Sequence, residues 1–328
     1  MFDEDKFIRE CLRPLASVPG SAGFTDDAAL IQPPEGKSLV ATADTIIAGV
    51  HFQAKERPNL IAARAIRVNV SDLVAKGAEP YGYLLHLSVP ASTADEFGAE
   101  FTAALASAHE TYGLKLFGGD TTVVPEGAPL SISITMLGIA PDEGPIRRSG
   151  AKPGDVIFVS GEIGDAALGL LVARGDPFPE LSREHLSHLE ASYRLPRPPD
   201  GLQPAIIAHA HASMDISDGL VGDLERICLA SGVSARVSAS KVPLSDAAQE
   251  ACRHDPRLMK TVLTGGDDYQ ALVIVPLDKS IAFARDALTH GHTVKAIGTC
   301  GDGPPEVVAV DADGQPFSLA HTRYTHRG

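Results

Sequence analysis

Five short segments of this chain close an apolar run on aspartate. They are Thr25-Asp26-Asp27, Thr42-Ala43-Asp44, Gly118-Gly119-Asp120, Met214-Asp215-Ile216-Ser217-Asp218 and Gly265-Gly266-Asp267-Asp268. A sixth acid, Asp72, lies within an otherwise apolar helical stretch. Acids that follow strands and glycine pairs this regularly confine the chain to folds that gather strand ends. Two carboxylates about 5 Å apart repel by about 3 kcal/mol at an effective dielectric of about 20. A pocket built from several of them therefore needs cations. All-oxygen donors suit Mg²⁺ or Mn²⁺ rather than zinc, and Mg²⁺ commonly adds substrate phosphates to one or two carboxylates. The segments, if they converge, point to phosphate chemistry with several ions.

Length and composition fit this reading. With 328 residues, 44% hydrophobic and 21% charged, the chain can form two domains with substantial cores. A net charge of −14 disfavours nonspecific nucleic-acid binding, which needs basic surface. It does not exclude a nucleotide substrate, because metal ions supply local positive charge. Cys11, Cys228, Cys252 and Cys300 have no paired metal-ligand spacing, which suits a reducing cytoplasm. Neither a basic-then-apolar leader nor an apolar run of spanning length is evident. The expectation is a soluble, cytoplasmic protein that engages no membrane.

Periodicity predicts a mixed chain. Residues 1–20 read as a short helix, and Ala28–Ile31 and Ser38–Ala43 as strands. Leu60–Gly77 reads as a helix stopped by Gly77 and Pro80. Tyr83–Val89 alternates as a strand, and a helix with the stripe Phe97, Phe101, Ala104, Leu105, Ala108 and Tyr112 follows. Leu114–Phe117 and Leu130–Met136 are further strands. A boundary is expected in the polar stretch Asp142–Lys152, giving domains 1–146 and 147–328. The second domain then reads as strand Val156–Ser160, loop Gly161–Gly164, helix Asp165–Ala173, a proline-rich connection Leu195–Pro204, strand Ser213–Ile216, helix Asp218–Ser231 and strand Ala271–Val275.

Each motif carries two readings. Ser217 can cap the helix that follows it, with Asp215 and Asp218 at a strand's C-terminal edge, where open α/β sheets bind ligands. A cap beside a dipole-stabilising acid needs no ligand at all. Gly118-Gly119-Asp120 and Gly265-Gly266-Asp267-Asp268 either bring amides to an anion or form plain glycine turns. Asn69, Asp72 and Lys76 share one helical face, which is either a polar site among apolar neighbours or a solvated stripe. His51 follows Asp44 closely. Arg147-Arg148 can bind a phosphate or form a solvated loop. Gly161-Glu162-Ile163-Gly164 has the build of an anion loop, or serves only a turn. No G-x-x-x-x-G-K-[ST] phosphate loop and no H-R-D or D-F-G signature is present, so neither large kinase class applies.

Seven motifs in order resemble the thiamine-monophosphate kinase family over nearly the whole chain. These are Thr25–Ala29, Ala43–Thr45 with Gly49–Phe52, Val68–Leu73, Gly118–Thr122, Arg148–Asp155, Asp215–Leu220 and Gly265–Tyr269. The resemblance implies the mixed α/β (α+β) two-domain fold of aminoimidazole ribonucleotide synthetase, with N-terminal sheets paired across a homodimer. It implies ATP-dependent phosphorylation of thiamine phosphate to thiamine diphosphate. An N-terminal domain would bind Mg²⁺ and ATP and dimerise, and a C-terminal domain would complete the nucleotide and substrate site. By position, Asp27, Thr42, Asp44, Asp72, Asp120, Asp215 and Asp218 would hold Mg²⁺. Tyr112, Gly119, Asp120, Arg148 and Ser217 would contact ATP, and His51, Asp267 and Tyr324 would contact thiamine phosphate. No catalytic base is expected.

This sequence departs from the family where Asp267 stands for the usual Glu, Gln270 for an acid, and Ala43 for a hydroxyl. The alternatives are other enzymes of the superfamily or an acidic metal-binding protein without catalysis. Selenophosphate synthetases use an N-terminal Cys in a glycine-rich segment, whereas Cys11 lies in Glu10-Cys11-Leu12-Arg13. Hydrogenase-maturation relatives use a C-terminal Cys, whereas this chain ends His326-Arg327-Gly328. Arg148 and the glycine-backed acids argue against simple cation storage.

Overall fold

The structure is a computed structural model that describes residues 2–317 except Asp95, together with Leu319. The chain divides into two compact units. One takes the residues up to Leu73 and Ala78–Gly144; the other takes Val74–Gly77 and the chain from Pro145 onward.

In the first unit, α1 (Glu4–Phe7) leads into a wide π turn at Ile8–Leu12 and a tight 3-10 turn at Arg13–Leu15. The single helix expected over residues 1–20 is thus broken, in keeping with Pro14 inside it. Then come β1 (Leu39–Ile47), α2 (Pro58–Ala75), β2 (Glu79–Pro90), α3 (Glu96–Tyr112), β3 (Leu116–Val124) and β4 (Ser131–Ile139). The four strands lie in the order β1-β4-β2-β3. β4 runs antiparallel to both β1 and β2, while β2 and β3 are parallel.

Alternation decides which face of this sheet is buried. Ile46, Tyr83, Leu85, Leu87, Ile132, Ile134 and Met136 are buried on one face. Phe101 and Leu105 of α3 are buried too, and the Tyr83 hydroxyl lies 2.9 Å from Nε2 of His109. Fully burying each such apolar side chain contributes roughly 1.5–3 kcal/mol. The strand expected at Ala28–Ile31 is absent; that stretch is irregular, held where Leu30 N–H donates to Gly20 O.

The second unit contains β5 (Val156–Ser160), α4 (Asp165–Arg174), α5 (Arg183–Arg194), α6 (Gln203–His209), β6 (Ala212–Ile216) and α7 (Leu220–Ser231). It continues with β7 (Ser234–Ser238), α8 (Asp246–His254), α9 (Leu258–Thr264), β8 (Gln270–Val275), α10 (Ser280–Thr289), β9 (Val294–Gly301) and β10 (Val307–Val310). The six strands lie in the order β10-β7-β9-β5-β8-β6. Only β10 and β7 pair in parallel; β8 is antiparallel to β6 and β5. The rule placing ligands at the carboxyl ends of parallel strands therefore does not govern β6. Instead the end of β6 meets the start of β8, with Ile216 opposite Gln270. Ile157, Val159, Leu168, Met214, Ile216, Leu224, Leu272 and Ile274 form this unit's core.

Candidate functional site

In the first unit the acids fall into two groups. Asp27, Gly119 and Asp120 line one cavity of about 430 Å³, together with Asp26 and His86. That size suits a small molecule, since such sites span roughly 300–1,000 Å³. Asp26 has a bracing role: its Oδ1 accepts from Asp27 N–H at 2.8 Å. Asp120 lies inside β3 opposite His86, not after a strand. Gly119 is required there, because a Cβ would stand 1.7 Å from Leu85 O.

The second group is Thr42, Asp44 and Asp72. The Thr42 hydroxyl donates to Asp72 Oδ2 at 2.5 Å. Asp44 is two residues on from Thr42 and so shares its face of β1, which continues to Ile47 instead of ending at Ala43. Asn69 is fully buried and its side-chain N–H donates to Ala65 O, while Asp72 is half-buried. The stripe is therefore not a solvated face. Lys76 falls beyond the end of α2 and donates to Ser213 O.

His51 sits in the turn after β1, where its Nδ1 accepts from Ile47 N–H at 3.1 Å. A ring nitrogen that accepts carries no proton, so the proton of the neutral ring is on Nε2. Tyr112 is the last residue of α3.

In the second unit, two motifs pack against each other. Asp267 N–H donates to Ser217 O at 2.9 Å, and Tyr269 N–H to Ile216 O at 2.8 Å. The approach is close enough that a Cβ on Gly266 would stand 2.2 Å from Ser217 O, and one on Gly219 2.6 Å from Thr264 O. Asp267 and Tyr269 both hold left-handed backbone, with φ of 73° and 51°. Such strain, costing about 1–3 kcal/mol per residue, clusters at functional sites. Ser217, Asp218 and Asp267 are thereby gathered at one end of the β6–β8 pair, and Asp215 is buried on β6 just before them.

Arg148 is exposed, in a segment tied down where Arg147 O accepts Ser213 N–H and Arg148 O accepts the Ser231 hydroxyl. Tyr324 lies outside the described residues.

Three sequence readings change. Ser217 does not cap α7; Gly219 is the N-cap, and no side chain of its own caps it. Asp223 reaches back from within the helix to the preceding turn: its Oδ2 accepts N–H from Ser217, Asp218 and Gly219 at 3.0, 2.9 and 3.2 Å. Burial pushes its carboxyl up to about 6, against the lowering effect of those amides. Arg226 pairs with Asp218 Oδ2 and lies 3.4 Å from Asp223 Oδ1. Second, the Gly161–Gly164 loop is filled by the protein's own acid. Asp268 Oδ2 accepts from Gly164 N–H at 2.8 Å and Oδ1 from Ala166 N–H at 3.4 Å. Asp268 is buried, and burial raises its carboxyl well above the ordinary range. Its carboxyl is taken up by the protein's own backbone. Third, Gln270 is also structural: it accepts from the Ser160 hydroxyl and donates to Arg197 O.

Sequence reading missed Asp223 and Arg226. The one available signal was an acid and a cation at five and eight residues after Asp218, facing back along α7. It also missed a second group, Glu162, Asp165 and His188, whose ligand atoms lie within 4.8 Å of one another. Burial, with Asp165 as the next cause, raises the Glu162 carboxyl. The four thiols are raised by burial first, to about 11 for Cys228 and about 12 for Cys300, so none is activated as a nucleophile. Among the described residues no helix is long and apolar enough to cross a membrane.

Two domains, each with its own sheet and its own acids among apolar residues, define the class. Residues 25–140 match the family of AIR synthase related proteins, N-terminal domain, and residues 152–311 the corresponding C-terminal domain. The thiamine-monophosphate kinase of Caulobacter vibrioides is 38% identical over 90% of this chain and 83% of its own. The crystal structure of the Stenotrophomonas maltophilia thiamine-monophosphate kinase superposes with a TM-score of 0.82 at 34% identity, covering 94% of this chain and 95% of that one. AaThiL complexed with AMPPCP and TMP superposes at 0.76 with 29% identity, covering 92% and 91%. The chain belongs to the thiamine-monophosphate kinase family.

Proposed function

We infer that the protein phosphorylates thiamine phosphate to thiamine diphosphate with ATP, as the names of its relatives and the AMPPCP and TMP bound by one of them support. The observation that carries this reading is the donor set. Carboxylates and a hydroxyl are grouped at Asp27 with Asp120, at Thr42 with Asp72, and beside Ser217–Asp218 with Asp267. All are oxygen donors of the kind Mg²⁺ takes.

The acceptor is already a phosphate anion, so no group has to remove a proton to create a nucleophile. The barrier lies in bringing two anions together. Mg²⁺, when bound, offsets the charge of the polyphosphate. Asp27, Thr42, Asp44, Asp72, Asp120, Asp215 and Asp218 are the residues that would hold it. Arg148 offers a permanent cation and a fork suited to phosphate oxygens. Gly119 and the Ser217 segment offer backbone at close range to ATP, and Tyr112 would contact the nucleotide. The Nε2–H of His51 can donate to the substrate phosphate, and Asp267 can face the cationic thiazolium; Tyr324 completes this set by family position.

Mg²⁺ and nucleotide binding fall to residues 1–146, and completion of the nucleotide and substrate site to 147–328. A homodimer formed through the N-terminal sheets fits the exposed small side chains Ala41, Ala43 and Thr45 on the open face of β1.

Purified protein given ATP, Mg²⁺ and thiamine phosphate is expected to form thiamine diphosphate, and to leave free thiamine unphosphorylated. The same assay on Asp72→Asn is expected to show no turnover at near-native melting temperature. A folded wild-type protein that makes no thiamine diphosphate would sink the assignment, and an active Asp72→Asn would remove Asp72 from the metal set.

A further inference from the structure

The Ser217–Gly219 turn is built around a residue that the reaction does not touch. Asp223 lies in the first turn of α7 with no exposed surface. One of its oxygens receives three consecutive backbone amides. A helix start needs no such arrangement, since an N-cap side chain ordinarily satisfies one amide from outside the helix. Here the acid reaches back over the turn, and Gly219, with φ of 120°, gives the backbone the shape that presents all three N–H groups to it. Arg226, one turn along the same helix face, then bridges two carboxylates: Nη1 lies 3.4 Å from Asp223, and Nη2 pairs with Asp218. The chain Asp223–Arg226–Asp218 links a buried, fixed acid to a half-buried one.

We propose that Asp223 and Arg226 are positioning residues for the phosphoryl transfer. Asp223 locks the turn that aims Asp218, and Arg226 occupies the Asp218 carboxylate as a built-in cation that Mg²⁺ must displace. This rests on the reading of Asp218 as a Mg²⁺ ligand.

The two residues act in opposite senses, which separates this role from simple support of the fold. Asp223→Asn loosens the turn and removes one of the two carboxylates that Arg226 pairs with among the described residues, so Arg226 holds Asp218 more firmly and metal binds less readily. Arg226→Gln removes the competitor, so metal binds more readily. Outer-shell partners of metal ligands typically change affinity by about 10-fold or more.

The test is Mn²⁺ binding to the enzyme with a non-hydrolysable ATP analogue, read by electron paramagnetic resonance without turnover. The concentration of Mg²⁺ giving half-maximal rate is measured alongside. Asp223→Asn is expected to raise the half-saturating metal concentration by about tenfold, with the KM for thiamine phosphate unchanged and the rate recovered at high Mg²⁺. Arg226→Gln is expected to lower it. Arg226 is partly exposed, so its variant should fold even if Asp223→Asn does not.

Titrations that do not move, or that move in the same direction in both variants, overturn the proposal. Asp218→Asn serves as the reference. Loss of a bound Mn²⁺ there, with the other two titrations unchanged, overturns the positioning role alone. Undiminished Mn²⁺ binding in Asp218→Asn overturns the reading of Asp218 as a ligand, and the proposal with it.

Discussion

At the scale of single residues, neighbouring acids with one spelling do different work. Asp267 and Asp268 stand side by side after a glycine pair. Asp267 has left-handed backbone and a half-buried side chain, while Asp268 is buried against the amides of Gly164 and Ala166. Nothing in Gly265-Gly266-Asp267-Asp268 separates them; only burial does. The same holds for Asp223, which reads as an ordinary acid near a helix start until its three amide donors are seen. By contrast, Asp27, Asp72, Asp120 and Asp215 stand out in the sequence itself, because carboxylates recurring among apolar residues have few structural uses.

Burial gives Asp268 a measurable signature. Its folded carboxyl lies well above the ordinary value of 3.8, so between those two values the folded state holds a proton that the unfolded state has lost. Stability from this group is present below 3.8 and falls as pH rises through that interval. Asp268→Asn keeps an oxygen that can accept from the amides and removes the titration. Its melting temperature relative to wild type is expected to climb as pH is raised from 4 upward. A difference that stays flat with pH would mean that Asp268 is charged in the folded protein at no cost.

At the scale of elements, alternation and helical periodicity located β1 to β4, α2 and α3 in the first unit and β5, α4, β6, α7 and β8 in the second, because the buried faces follow those periods closely; α5, α6, α8, α9, α10, β7, β9 and β10 were not read. The boundaries were less legible. Asp44, Gly119 and Asp120 were expected beyond strand ends but lie within β1 and β3. Glycine usually weakens a strand, so a Gly-Gly pair reads as a stop. In β3 it instead permits close contact, since the parallel neighbour β2 brings Leu85 O to where a Cβ would be. Leu85 O is backbone and cannot rotate away. Gly119→Ala is therefore expected to push β3 off β2, lower stability by about 2–3 kcal/mol and disturb the cavity lined by Asp120. The denaturation midpoint checks this; a midpoint within error of wild type would show that the strand pair accommodates the methyl group. Strand direction in the second sheet was not legible either: the order β5-β8-β6 is antiparallel throughout, which pairing partners distant in sequence decide.

At the scale of the molecule, the acids assigned to Mg²⁺ divide between the two units: Asp27, Asp44, Asp72 and Asp120 in the first, Asp215 and Asp218 in the second. Each unit has its own core, so each can fold its acids into place by local packing. A ligand that binds only the folded state adds RT ln(1 + [L]/Kd), about 2.7 kcal/mol at one hundred times Kd. An ATP analogue with Mg²⁺ should therefore raise the melting temperature by several degrees, and by less when Mg²⁺ is withheld. If the acids of each unit take part in binding, Asp72→Asn and Asp218→Asn should each shrink the metal-dependent part of that rise while leaving the ligand-free melting temperature near wild type. Both changes remove one negative charge from a chain of net charge −14, so a nonspecific charge effect would act alike on any exposed acid. Asp302→Asn, an exposed change in the bend just after β9 and outside the acid motifs, controls for that effect and should leave the full shift intact. A shift lost in Asp72→Asn but kept in Asp218→Asn would confine metal binding to the first unit, and leave the second to hold substrate through Asp267.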